Sequence, residues 1–307
     1  MNLIENTMLL VNQVMDNAKS VVINERATAD VAIDIIQCRS SGSGPQFNAG
    51  GYPKSIDSID PKALNKLLLY EIIANSVNYC YWYGSHLIRP NGSDCTKMYK
   101  LLDESFIVMN KLREMAVYDP QHEVRIIIDT FIDKLSMARF PLLDHRIRHL
   151  KEVRAREDLL YVIDKCVTTN DFSVDGWLEY LVRAFPGYGK DLFLKRAFLF
   201  IMEMYRRCRL FKEEIGRIPV PADYQIPKML RSLGCLSYTH PLQLSVEDGR
   251  LIPEGSSMEI EIRAATIVAC SKIAKITHCS CEVVDTYLFS KRNECKDPFH
   301  LTVTTSY

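Results

Sequence analysis

Apolar residues recur at helical spacing along most of the chain, and this recurrence narrows the fold class more than any other feature. Leu10, Val14 and Ala18 share one helical face, and Ala29, Ala32, Ile33 and Ile36 share another. A repeat of three to four residues suits a helix with one buried stripe, whereas a strand repeats every two. Asp60-Pro61 reads as an N-cap followed by a proline at the first helical position. It opens a helix through Leu64, Leu67, Leu68, Ile72 and Ile73. Further helices are expected over 96–117, 121–138, 142–166, 174–184 and 189–213. A short helix over 227–233 stops at Gly234. Ser256-x-x-Glu259 reads as a capping box for a helix through Ala274, and 279–290 continues helical. Short extended pieces fit 20–23, 236–252 and the last six residues. The expectation is a mainly α fold: one domain over 1–307, with two helical lobes meeting near 120–140. The pattern breaks over 40–59, where Ser, Gly and Pro cluster, and this stretch reads as a mobile lid or a plain linker.

The charge balance argues against one broad class of function. Lys and Arg total 38, as do Asp and Glu, so the chain lacks the general basic footprint of a nucleic-acid binder. A local basic pocket for a ligand with one phosphate remains open. The ten cysteines show no zinc-binding spacing, and Cys279-Ser280-Cys281 is too tight for a Cys-x-x-Cys knuckle. His145 and His149 stand at i,i+4 without a third ligand, which favours a surface helix over a metal site. There is no Gly-rich phosphate loop and no Gly-x-Ser-x-Gly elbow. The opening residues lack a basic and apolar leader, and no run reaches membrane-spanning length. A cytoplasmic, reducing setting with free thiols is expected, with no membrane partner, metal or organic cofactor.

Several groups are candidates for chemistry. Asp223 lies in Ile218-Pro219-Val220-Pro221-Ala222-Asp223-Tyr224-Gln225-Ile226-Pro227, where prolines stiffen the backbone. It is either a rigidly aimed acid or the cap of the helix that follows. Tyr79, Tyr81, Trp82 and Tyr83 offer flat faces for a heterocyclic base, or else form a core cluster. Asn75 and Asn78 offer hydrogen bonds to a base edge. Lys195 and Arg196 enter a very apolar helix and need partners. A ligand is the choice for Lys195; an internal ion pair or snorkelling suits Arg196. Asp144, Arg146, Arg148, Arg154 and Arg156 read as a charged, solvated helix face. Glu259 and Arg263 form an i,i+4 pair, which leaves Glu261 as the freer carboxylate.

The Ala222–Leu230 block closely resembles the queuosine salvage family, the queuosine 5'-phosphate N-glycosylases. Other blocks resemble the same family in the same order: Asp16-Asn17-Ala18-Lys19-Ser20, Asn78-Tyr79-Cys80-Tyr81-Trp82, Pro141-Leu142-Leu143-Asp144-His145-Arg146, Ala184-Phe185-Pro186-Gly187-Tyr188, Lys195-Arg196-Ala197, Glu259-Ile260-Glu261 and Pro298-Phe299-His300. The resemblance covers nearly the whole chain. It implies a helical fold like that of DNA glycosylases and hydrolysis of a nucleotide's N-glycosidic bond, releasing the 7-deazaguanine base queuine without a cofactor. On the same ground Asp223 is the catalytic carboxylate. Asn78, Tyr79, Tyr81, Trp82, Asp144, Lys195, Tyr224 and Glu261 are the substrate-binding candidates. The chain departs from the family pattern at Asn75, where many members carry an acid, and in its shorter 187–191 loop. Two other functions fit a chain of this kind. One is a DNA-glycosylase-like enzyme acting on modified DNA bases, with Lys195 as nucleophile. The other is a nucleotide-binding helical module without catalysis.

Overall fold

Helix α1 (Leu3–Asp16) starts on a capping box, in which the Asn2 and Glu5 side chains each take the other's backbone N–H. Strand β1 (Val21–Ile23) and helix α2 (Glu25–Ser40), capped by Asn24, follow. This computed structural model describes residues 2–42, 59–82, 124–137 and 140–307. The expected helix at 96–117, the 43–58 part of the loop, and Tyr83 lie outside them. Helix α3 (Pro61–Ser76) opens as read: Pro61 stands in its first turn and the Asp60 carboxylate accepts from Ala63 N at 3.0 Å. Next come α4 (Val124–Met137), α5 (Leu143–Arg154), α6 (Leu159–Thr169), α7 (Val174–Ala184) and the single turn α8 (Pro186–Gly189). Helix α9 (Lys195–Cys208) leads through a 3-10 turn (Ile215–Arg217) to α10 (Gln225–Ser232). Strand β2 (Leu236–Tyr238), α11 (His240–Glu247), α12 (Ser257–Thr277) and α13 (Cys281–Ser290) complete the order. The fold is mainly α. Among the described residues the one sheet is the antiparallel β1–β2 pair, in register Val21↔Tyr238 to Ile23↔Leu236.

Where the structure departs from the periodicity, a local cause is visible. The expected 142–166 helix splits after Arg154, because Arg154-Ala155-Arg156-Glu157-Asp158 offers no large apolar side chain to bury. Arg156 instead bonds Asp158 at 2.6 Å. The expected 189–213 helix begins only at Lys195, after Leu194 adopts the left-handed conformation, and ends before left-handed Arg209. His278, also left-handed, separates α12 from α13. Of 236–252, only 236–238 is a strand, and α11 starts at His240 with Pro241 in its first turn. On α2 the buried stripe is Thr28, Val31, Ala32 and Ile35; Ile33 and Ile36 are exposed.

Helix α3 sets the centre of the molecule. It packs against α9, α6 and α5, and from Leu67 to Ser76 it is buried all round. Its apolar side chains, each worth about 1.5–3 kcal/mol on full burial, carry three polar residues inside with them: Glu71, Asn75 and Ser76. Glu71 meets the last turn of α9 through Arg207, while Ser76 and the residues just beyond the helix end meet its first turn. The described cysteines are all free thiols, and among the described residues no helix is long and apolar enough to cross a membrane.

Candidate active site

The last carbonyls of a helix lack intrahelical partners. Beyond α3 they are taken by three buried cations. Arg196 donates to Ser76 O; Arg146 to Val77 O, Tyr79 O and Cys80 O; Lys195 Nζ to Asn78 O at 3.0 Å. Each carbonyl from 76 to 80 thus receives a cationic N–H. The negative end of the α3 dipole favours this arrangement. Charge-assisted bonds also offset the desolvation of three cations. Arg146 is therefore not part of a solvated face. It is fully buried, donates also to Pro141 O at 2.7 Å, and stacks its guanidinium 4.3 Å from the Tyr79 ring centroid. Among the described residues Arg196 forms no ion pair with an acid, and it does not snorkel; its guanidinium lies 5.1 Å from the Tyr79 ring centroid and is buried as well.

Lys195 and Asp223 come together on this frame. Burial pushes the Lys195 ammonium down to about 8. The strongest charge opposing that shift is Asp223, ahead of Asp191, while Arg196 and Arg263 add to the depression. Asp223 is half-buried, and its Oδ1 accepts from Gln225 N at 2.7 Å and Ile226 N at 3.3 Å. It does cap α10, but with one carboxylate oxygen; no hydrogen bond to Oδ2 is formed among the described residues.

A buried ion pair ties both residues down. Arg263 grips Asp191 with both Nη atoms, each at 2.7 Å. Asp191 Oδ2 accepts from Lys195 N at 2.8 Å and Oδ1 from Phe193 N at 3.2 Å, so it caps α9 where Leu194 cannot. Arg263 Nε donates to Ala222 O at 3.0 Å, one residue before Asp223. The guanidinium holds the Asp191 carboxyl below its usual range in spite of complete burial. The expected Glu259–Arg263 contact also forms, at 3.4 Å, as the longer of its bonds.

The aromatic candidates divide. The Tyr224 ring lies 4.8 Å from Phe299, and Trp82 lies 6.1 Å from the same ring, so the 78–82, 223–224 and 298–300 blocks meet. The Tyr81 hydroxyl donates to Asn78 Oδ1 at 2.9 Å, and its ring meets Phe140 edge-on at 5.7 Å. Asn78 donates in turn to Asn75 at 3.4 Å, and Asn75 is fully buried and spent on Glu71. Asn75 is thus a supporting residue, and Asn78 is the partly exposed amide. Tyr79 belongs to the arginine-lined core.

Asp223 also lies within electrostatic reach of an acidic cluster that the sequence pattern did not reveal. Arg206 bonds Asp285 at 2.7 Å, Glu282 at 2.8 Å and Glu203 at 3.1 Å, and Arg207 bonds Glu71 at 2.7 Å. Arg207 also approaches Glu203, at 3.7 Å, so two guanidinium groups serve the cluster. Burial raises Asp285 to about 6 against the pull of Arg206, with Asp223 and Glu282 adding to the rise. The signal was an Asp inside the apolar run Val283-Val284-Asp285-Thr286-Tyr287-Leu288.

Three further expectations change. Glu261 is not a free acid: its Oε2 accepts from Lys19 N at 2.9 Å and Ser20 N at 2.5 Å, anchoring the loop before β1. Asp144 is exposed on the first turn of α5 and has no contact with Lys195 or Asp223 among the described residues. His149 is not on the surface, and burial beside Arg196 pushes its imidazole down to about 3.

A family model described as queuosine salvage protein matches residues 59–307. The queuosine 5'-phosphate N-glycosylase/hydrolase of Bos taurus is 24% identical over 281 residues, covering 83% of this chain and 79% of its own. Its namesake in Schizosaccharomyces pombe is 25% identical over 299 residues, covering 84% and 82%. That of Sphaerobacter thermophilus is 24% identical over 238 residues, covering 71% and 72%. The matched range includes the α3 end, Lys195 and Asp223 alike, and the chain belongs to the queuosine salvage protein family.

Proposed function

We propose that this chain hydrolyses the N-glycosidic bond of queuosine 5'-phosphate, releasing the base queuine and leaving ribose 5-phosphate. The observation that carries the reading is the meeting of Asp223, Lys195 and the Trp82–Phe299–Tyr224 rings in a member of this family. Its relatives' names supply the substrate.

The chemistry suits the groups. The C1'–N bond breaks with its electron pair leaving on the base, and positive charge builds on the ribose. A carboxylate at Asp223 stabilises that charge and takes a proton from the attacking water, whose oxygen bonds to C1'. Asp285 and its acidic neighbours add negative potential within electrostatic reach of Asp223. The departing 7-deazaguanine lacks N7 and cannot take its proton there, so it draws its proton and hydrogen bonds from other positions. Asn78 is the half-buried amide close enough to Lys195 to serve such an edge. Lys195 keeps two N–H groups beyond its bond to Asn78 O, which suit an anionic group of the substrate.

Incubation with queuosine 5'-phosphate, followed by chromatography of the products, tests the reading. Release of queuine is expected. A tight complex with no released base would favour a binding module, and release only from modified DNA would favour the DNA-directed alternative.

A further inference from the structure

We propose that Arg263 and Asp191 form a positioning pair that fixes Lys195 and Asp223 relative to one another for turnover. The proposal rests on the reading of Lys195 and Asp223 given above. Both residues of the pair are buried, and their hydrogen bonds run to one another and to the surrounding protein. What sets the pair apart from an ordinary internal salt bridge is where its remaining bonds end. Asp191 spends both oxygens on the fork of Arg263 and on the backbone N–H groups of Phe193 and Lys195. Arg263 spends its Nε on the carbonyl of Ala222. One planar, bidentate unit thus reaches the backbone of Lys195 on one side and the residue preceding Asp223 on the other. A guanidinium fork holds such a geometry where a flexible ammonium would not.

The surroundings lock the unit. The Arg263 guanidinium lies 4.1 Å from the Tyr307 ring centroid and 5.0 Å from that of Phe193. Leu194, at φ 50°, holds a left-handed conformation that a leucine rarely adopts, directly between the Asp191 cap and Lys195. Such a conformation persists only where neighbours overdetermine it, and Asp191 supplies the bonds on either side. On the Asp223 side, Pro219 and Pro221 stiffen the chain, so fixing Ala222 O carries through to the next residue. A displacement of about 1 Å at a reacting group can lower turnover about a hundredfold.

The test compares Arg263→Lys, Asp191→Asn and Asp223→Asn with the wild-type protein. Thermal unfolding, kcat, KM and the pH profile are measured on queuosine 5'-phosphate. Arg263→Lys keeps the charge and loses the fork. The expected result is a kcat lower by about ten- to a hundredfold, with KM changed little and the alkaline limb unmoved. Asp191→Asn should also lower kcat. Of the four charged groups facing Lys195 (Asp223, Arg196, Asp191 and Arg263), it removes one that raises the lysine's pKa. The alkaline limb should therefore move to lower pH. A purely structural pair would instead scale activity with the folded fraction, at an unchanged kcat per folded molecule, and that result would overturn the proposal. Wild-type kcat in a folded Arg263→Lys or Asp191→Asn protein would also overturn it, as would failure of both variants to fold. Normal turnover by Asp223→Asn would remove the underlying catalytic reading and the proposal with it. Loss of turnover in Asp223→Asn beside a normal Arg263→Lys would sink the positioning role alone.

Discussion

The Lys195 ammonium donates to the carbonyl of Asn78 at 3.0 Å, joining residues 117 positions apart. This bond brings the start of α9 to the segment beyond α3, and it spends one of three N–H groups of a cation that burial has weakened. It also places a positive charge beside Asp223. The lysine is thus neither a free surface charge nor a fully neutralised one, and its behaviour is the most direct probe of the site.

Lys195→Ala should mainly weaken productive binding of the phosphorylated substrate, raising KM by about tenfold or more with a smaller effect on kcat. With the lysine at about 8, kcat/KM of the wild-type protein should fall as pH rises through that value. Unchanged kinetics in a folded Lys195→Ala protein would make the residue structural. Borohydride treatment during turnover checks the nucleophile alternative. No covalent adduct is expected on the proposed route, in which Asp223 activates water; a trapped Lys195 adduct would reverse that assignment.

Arg146 should matter for folding more than for turnover. Arg146→Leu leaves the carbonyls of Val77, Tyr79 and Cys80 without their donor in a dry interior. An unmet buried polar group costs about 1–3 kcal/mol, so a loss of about 3 kcal/mol or more is expected in denaturant unfolding. A loss below about 1 kcal/mol would mean that water or other donors reach these carbonyls.

Acid should weaken the fold through two histidines. Burial, helped by nearby cations, pushes both His149 and His300 down to about 3. Unfolded imidazoles bind a proton near 6.5, so below that pH the unfolded chain holds more protons. Stability is then complete above about 6.5 and declines as pH falls toward 3. Each histidine should account for about 2 kcal/mol between pH 7 and pH 5. Urea midpoints at the two pH values, with His300→Gln for comparison, measure this. Equal pH dependence in the variant would exclude His300 as a source.

Glu261→Gln should leave kcat and KM unchanged while costing about 1 kcal/mol of stability, because the carboxylate serves the Lys19 and Ser20 N–H groups. Asp144→Asn should change neither property by a measurable amount. A tenfold fall in turnover from either substitution would return that residue to the substrate-binding set.

What the sequence made legible was local. Asp60 and Ser256 signal helix starts through bonds to residues three positions away, and both bonds form. Lys195 and Asp223 stood out because each is a charge in an apolar or proline-stiffened setting, and the structure brings them together. What stayed hidden depends on partners far along the chain. Arg146 looked solvated because its carbonyl acceptors arrive from 66 to 69 positions earlier. Arg263 showed its i,i+4 neighbour Glu259, whereas its closest partner is Asp191, 72 positions away. Glu261 looked free because nothing nearby in sequence occupies it; its donors are more than 240 positions distant.

Asp223→Asn separates the two roles open to the residue. The Oδ1 atom accepts from Gln225 N and Ile226 N, and asparagine can keep both bonds with its own carbonyl oxygen. Stability should therefore change by less than about 1 kcal/mol. The negative charge is lost, and with it the stabilisation of an oxocarbenium ion and the activation of water. Turnover should fall by about a hundredfold or more while substrate still binds. Single-turnover release of queuine, read beside equilibrium binding of queuosine 5'-phosphate, checks both halves. A well-folded Asp223→Asn protein with near-normal turnover would leave Asp223 as a helix cap and nothing more.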